Sequence, residues 1–126
     1  MNPRQFLRIE GFAVFAVSLA LYLDLGGPLW LLAVLALAPD LAMVGYLAGP
    51  RVGSHSYNLV HTYAVPLALG AVGVWTGRRL AVLVALVWAA HIGADRLVGY
   101  GLKYESGFKD THLSTQPVPA AVLTEE

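Results

Sequence analysis

No cysteine occurs anywhere in the 126 residues, which excludes disulfides, thiolate metal sites and cysteine-ligated iron–sulfur clusters. Charge is scarce too: 13% of residues are charged, eight basic against eight acidic, so the formal net charge is zero. With no basic field to draw a polyanion and no acidic run to form a solvating tail, nucleic acid is excluded as a partner. No low-complexity segment or internal repeat is present, and the length leaves room for one domain. What fills the chain is apolar sequence, 57% by count, with a mean hydropathy of +0.63. A soluble domain of this size would not stay in solution with so little polar surface, so the class is integral membrane.

Four apolar runs are predicted as transmembrane helices, approximately 6–23, 29–48, 57–76 and 80–98. Each is close to the roughly 20 residues needed to cross about 30 Å of hydrocarbon at 1.5 Å per residue. Gly26-Gly27-Pro28, the segment Gly49 to Ser54, and Gly77-Arg78-Arg79 punctuate them as turns. The expected fold is an all-α antiparallel bundle of four transmembrane helices over residues 1–113, followed by a flexible C-terminal tail, 114–126. Arg4 and Arg8 precede the first run as in a secretory signal, but no small-residue cleavage site follows at Leu23 to Pro28, and the Ala36-Leu37-Ala38 triplet lies inside the next run. The first segment is therefore read as retained. Arg4, Arg8, Arg51, Arg96, Lys103 and Lys109 collect on one face and only Arg78 and Arg79 on the other. That asymmetry places both termini in the cytoplasm, in a multi-pass protein of the inner (cytoplasmic) membrane.

Into this apolar background the chain sets a few ionisable groups, which are costly in a membrane segment and usually face a bundle interior or wet cavity. The stretch from Trp88 to Tyr104 places His91 and Asp95 one helical turn apart, with Arg96, Tyr100 and Lys103 following. At i,i+4 they share a helix face. They read either as an imidazole oriented by a carboxylate, as two metal ligands, or as an intrahelical ion pair. Arg96 and Lys103 also suit interfacial anchoring. Asp40 follows Pro39, whose missing N–H leaves the Leu35 carbonyl without its helical partner. It suits a general acid or base, or a cap for the helix half beginning at Leu41. Asn58, His61, Thr62 and Val65 fall on one face of the third span, with Tyr57 beside them and Pro66 beyond. Counting inward from the presumed cytoplasmic surface, Glu10 and His61 lie roughly 6 Å deep and His91 and Asp40 on the order of 12 Å, with Asp95 and Asn58 at or above the shallower level. The polar groups thus converge on one leaflet, although Glu10 alone also fits an interfacial position. Asp110 and His112 follow the last helix as lid or surface loop. Trp30, Trp75 and Trp88 suit lipid or interface contacts, and Gly45, Gly70, Gly73 and Gly93 suit close helix packing.

The blocks EGFAV, APDLAMVGYLAGPRVG, YNLVHTYAVPL and HIGADRLVGYGLKYESGFKDTHL cover about residues 8 to 113. They resemble a small bacterial family of membrane proteins catalogued as a domain of unknown function. The resemblance implies a four-span protein with polar positions at Glu10, Asp40, Tyr46, Asn58, His61, His91, Asp95 and Arg96, and carries no reaction with it.

Three function classes follow. The first is a membrane-embedded enzyme acting on an apolar or lipid-like molecule by acid–base or metal-assisted chemistry. Asp40, His61, His91, Asp95, Glu10 and Asn58 are its candidate catalytic groups, and Tyr46, Tyr57, Arg96 and Tyr100 line its substrate. Its metal variant takes His61, His91 and Asp95 as ligands of a transition metal, and another variant takes His61 and His91 as axial haem ligands. The second class is a small proton-coupled transporter working as a homodimer around a first-helix glutamate. The third is a structural subunit of a larger membrane complex, with the polar groups as inter-helix glue.

Overall fold

A computed structural model describes residues 1–102, the side chain of Ala42 apart. Lys103, Lys109, Asp110, His112 and the expected tail from Ser114 lie outside the described residues. Among the described residues the fold is all-helical, and four helical stretches are long and apolar enough to cross a membrane: Pro3–Asp24, Leu29–Ala48, Pro50–Thr76 and Arg79–Leu97. Two are unbroken, α1 (Pro3–Asp24) and α5 (Arg79–Leu97). The other two change character midway. The second starts as α2 (Leu29–Leu37) and tightens into a 3₁₀ segment, Ala38–Ala48, while the third is split into α3 (Pro50–Val60) and α4 (Ala64–Thr76).

Prolines set these boundaries. Pro3, Pro39 and Pro50 occupy the first positions of their elements, and Pro66 lies in the first turn of α4, where a missing N–H costs nothing. In an unbroken third span Pro66 would deprive the Thr62 carbonyl of its donor, and the chain instead leaves the helix at residues 61–63. The turns match their residues as well. Asn2 and Gln5 form a reciprocal cap at the start of α1, each side chain accepting from the other's backbone at 2.9 Å. Gly49, at φ +111°, makes the whole connection between the 3₁₀ segment and α3. The third span therefore begins at Pro50 rather than at Tyr57, and the polar stretch expected as loop forms the first turns of α3.

The bundle is built around α5. It packs against α1, α4 and α2, and 33% of its most apolar stretch is buried, against 6–17% in the other three spans. Tyr22, Leu83, Val87 and Ile92 are the large buried side chains, and the Tyr22 hydroxyl donates to the Pro28 carbonyl at 2.6 Å. Around this thin core the large apolar residues face outward: Leu47 is 89% exposed and Trp75 91%. Such a surface suits lipid as the solvent. The α1–α5 crossing is set by two glycines. A Cβ on Gly93 would meet the Gly11 carbonyl oxygen at 2.6 Å and the Phe15 nitrogen at 2.7 Å. The 3₁₀ segment and α3 pair in the same way, Gly45 against Ser56 and Gly53 under the Tyr46 ring. They form a hairpin that packs chiefly on itself.

Candidate functional site

The two broken spans meet α5 at their breaks, and there four ligating side chains converge. His61 is the residue at which α3 ends, and it is 2% exposed. Its ring stacks on Tyr57 at 3.8 Å, nearly parallel, and its Nδ1 lies 2.8 Å from the Tyr57 carbonyl oxygen. A carbonyl can only accept, so Nδ1 carries the hydrogen, and in the neutral imidazole Nε2 then presents a lone pair. His91 is fixed in the same manner from a different element, its Nδ1 hydrogen-bonding the Ala36 carbonyl at the end of α2. Pro39 explains why that carbonyl accepts from a side chain: it has no N–H to give Leu35 in α register or Ala36 in 3₁₀ register.

Both imidazoles consequently turn Nε2 to the same point. The two Nε2 atoms are 3.3 Å apart. Asp40 Oδ1 lies 3.4 Å from His61 Nε2 and 3.2 Å from His91 Nε2. Asp95 Oδ2 lies 3.5 Å and 3.4 Å from the same two atoms. All four ligating atoms fall within 4.8 Å of one another. Depth is graded across the group. The His61 and His91 side chains are 3% and 9% exposed, that of Asp95 is 20% and that of Asp40 is 47%, so the centre opens through Asp40. Arg96 stays beside the centre without facing it: its Nη2 donates to the His61 carbonyl at 3.1 Å, and its guanidinium lies over the Tyr63 ring. A cation on the C-terminal carbonyl of α3 favours that helix end and ties His61 to α5.

An apolar cavity of about 440 Å³, lined by Leu35, Ala38, Pro39, Leu41, Val60, Val84 and Trp88, adjoins this centre through the chain itself. Pro39 and Leu41 flank Asp40, Val60 precedes His61, and Trp88 is one turn before His91. The Trp88 indole N–H is engaged by the Val60 carbonyl at 2.6 Å, so the ring presents an apolar face. Trp30 and Trp75 are 68% and 91% exposed, as suits lipid contact, whereas Trp88 is half-buried at this wall.

Of the residues singled out from the sequence, Asp40, His61, His91 and Asp95 come together, and Tyr57 supports His61. Asp40, expected at the depth of His91 and among the catalytic groups, joins the three expected metal ligands as a fourth. Glu10 is exposed on α1 and stands outside the group. Tyr100 is 59% exposed beyond the end of α5. Tyr46 is half-buried over Gly53, and Asn58 is half-buried one residue beyond Tyr57. The Ala36 carbonyl escaped the sequence reading, although Pro39 was the signal that some carbonyl nearby would need a donor.

The family model for the domain of unknown function DUF4260 matches residues 4–115. The chain belongs to that family. No curated protein and no solved structure matches it. The match spans every element of the DUF4260 chain that contributes to the centre, so the four side chains, both breaks and the cavity wall all lie within the family's domain.

Proposed function

We propose that this protein is a membrane-embedded enzyme that acts on an apolar or lipid-like substrate at the Asp40–His61–His91–Asp95 centre. The observation that carries this reading is the position of Asp40, a half-exposed carboxylate of the buried centre flanked by two residues of the apolar cavity wall. A lipid-like molecule held against Leu35, Val84 and Trp88 would have its reacting bond beside two oriented imidazoles and two carboxylates. Such groups transfer protons or activate a water molecule, which is the chemistry of hydration, hydrolysis and isomerisation. Arg96 positions His61 in this scheme and does not contact substrate.

Other readings have less support. A haem between His61 and His91 would need the plane between their Nε2 atoms open to the width of a porphyrin, and the Asp40 and Asp95 carboxylates close it, each within 3.5 Å of both nitrogens. A proton-coupled transporter would use its first-helix glutamate in the working site, and Glu10 is exposed outside the centre. Inter-helix glue remains the second reading, because the centre links the hairpin of the 3₁₀ segment and α3 to α5.

Asp95→Asn separates the two. Apolar metabolites and lipids extracted from cells producing the parent or this variant at equal membrane levels would be compared by mass spectrometry. The enzyme reading predicts a substrate that accumulates and a product that disappears in the variant, with stability retained. Identical extracts together with a less stable variant would establish the glue. By the same proposal both termini face the cytoplasm, placing the centre in the inner leaflet of the cytoplasmic membrane.

A further inference from the structure

Four hydrogen-bond acceptors pointed at one another repel, and what holds them together here has to be protons or a cation. Protons would make both imidazoles donors through Nε2, each aimed along one line at one carboxylate. Charge-assisted bonds of that kind close to about 2.7–2.9 Å. The observed separations are longer, and they are not directed: each Nε2 is nearly equidistant from the two carboxylate oxygens, at 3.4 and 3.5 Å for His61 and 3.2 and 3.4 Å for His91. That pattern has no preferred donor–acceptor line.

It does have a centre. The N–N and four N–O separations all lie between 3.2 and 3.5 Å. The sixth pair, the two carboxylate oxygens, lies within 4.8 Å. Four atoms so spaced leave room among them for an ion roughly 2.1–2.4 Å from each, near the Zn–N and Zn–O bond lengths, and a zinc-like ion would draw the two carboxylates together into its tetrahedral geometry. Each imidazole also donates its other nitrogen to a backbone carbonyl, the outer contact that fixes tautomer and ring direction in metal-binding histidines. The charge balances as well, since two carboxylates and a divalent ion sum to zero, which suits a region where an uncompensated charge is costly.

We propose that Asp40, His61, His91 and Asp95 are the four ligands of a tetrahedral site for a zinc-like divalent transition metal, bound through Nε2 of both histidines. Three ligands are well buried, and Asp40, on the open side, is the one that a water or a substrate oxygen displaces. The proposal deepens the enzymatic reading of the same centre by naming its cofactor, and its test measures metal rather than turnover.

The full-length protein, purified in detergent without chelator, is analysed for metals; chelator-stripped protein is then titrated with zinc and with cobalt. The expected result is one equivalent per chain, with the intense visible absorption of tetrahedral cobalt and two imidazoles in the zinc-edge X-ray absorption spectrum. His61→Gln and His91→Gln should lose the ion, Asp40→Asn should bind it more weakly, and His55→Ala, outside the centre, should bind as the parent does. Less than a tenth of an equivalent in the parent after reconstitution would overturn the proposal, as would uptake unaffected by the His61 and His91 changes. The spectrum is taken on the parent, so it decides even where a variant fails to fold. A metal-free protein whose Asp95→Asn variant still alters the metabolite extract would defeat the metal and keep the enzyme. A metal-bound protein with unchanged extracts would defeat the enzyme and keep the metal.

Discussion

Replacing Gly93 by alanine adds one methyl group at the closest approach of α1 and α5. That methyl would meet the Gly11 carbonyl oxygen at 2.6 Å, the Phe15 nitrogen at 2.7 Å and the Phe15 Cα at 3.1 Å, all backbone atoms that no rotamer change can move aside. Ordinary contact begins near 3.5 Å, so the helices have to separate locally by about 1 Å. Overpacking of this kind costs roughly 1–3 kcal/mol. Gly93 also lies between His91 and Asp95, so the displacement carries into the centre, and metal affinity and activity should fall with stability. Gly70→Ala is the built-in comparison: its methyl would meet only the Ala85 side chain, at 3.3 Å, and should change stability little. The assay is reversible unfolding in mixed micelles titrated with a denaturing detergent, run on parent, Gly93→Ala, Gly11→Ala and Gly70→Ala. Equal unfolding free energies for Gly93→Ala and Gly70→Ala would refute the close crossing and the reasoning built on it.

Arg96→Gln removes the cation from the His61 carbonyl and from the Tyr63 ring. It should weaken metal binding at the centre by less than the roughly 10–100-fold that follows loss of a hydrogen bond to a ligating ring, because Arg96 holds the His61 main chain rather than its imidazole, while substrate specificity stays the same; unchanged metal affinity would show that Arg96 does not position His61. Reporter fusions at Glu126 and at Gly77 should report the C-terminus in the cytoplasm and the α4–α5 turn outside, and the opposite pattern would move the centre to the other leaflet.

The spans were legible because length and apolar content are one-dimensional properties. Their breaks were signalled but not drawn: spans 29–48 and 57–76 read as single helices, although Pro39 and Pro66 each remove a donor that an unbroken helix requires. The convergence of His61, His91 and Asp95 was legible from depth. Depth fixes height and leaves the direction around the helix open, and that is why Glu10 was grouped with them. The neighbouring Gly11 is buried against α5, as are Ser18 and Tyr22 further along the same stripe, which turns Glu10 outward by about 100°. Asp40 was legible by depth as well, at the level of His91 and among the candidate catalytic groups, and only its place beside the expected metal ligands went unread, because the 3₁₀ segment rotates its residues differently from the α-helix assumed in counting. The start of α3 was misplaced because Arg51, Ser54 and His55 look like loop, whereas Gly49 completes the turn alone and Pro50 starts a helix immediately.

The hairpin between the two breaks has a consequence for biogenesis. Asp40 and His61 bracket it, whereas His91 and Asp95 belong to α5, which leaves the ribosome after the other three spans described. Until α5 arrives, the earlier spans hold one carboxylate and one imidazole, half of the four ligating groups. The centre therefore acts as a latch closed last: a chain truncated before α5 should still pair the 3₁₀ segment with α3, but it leaves Asp40 and His61 without their partners from α5 and should be cleared by membrane quality control.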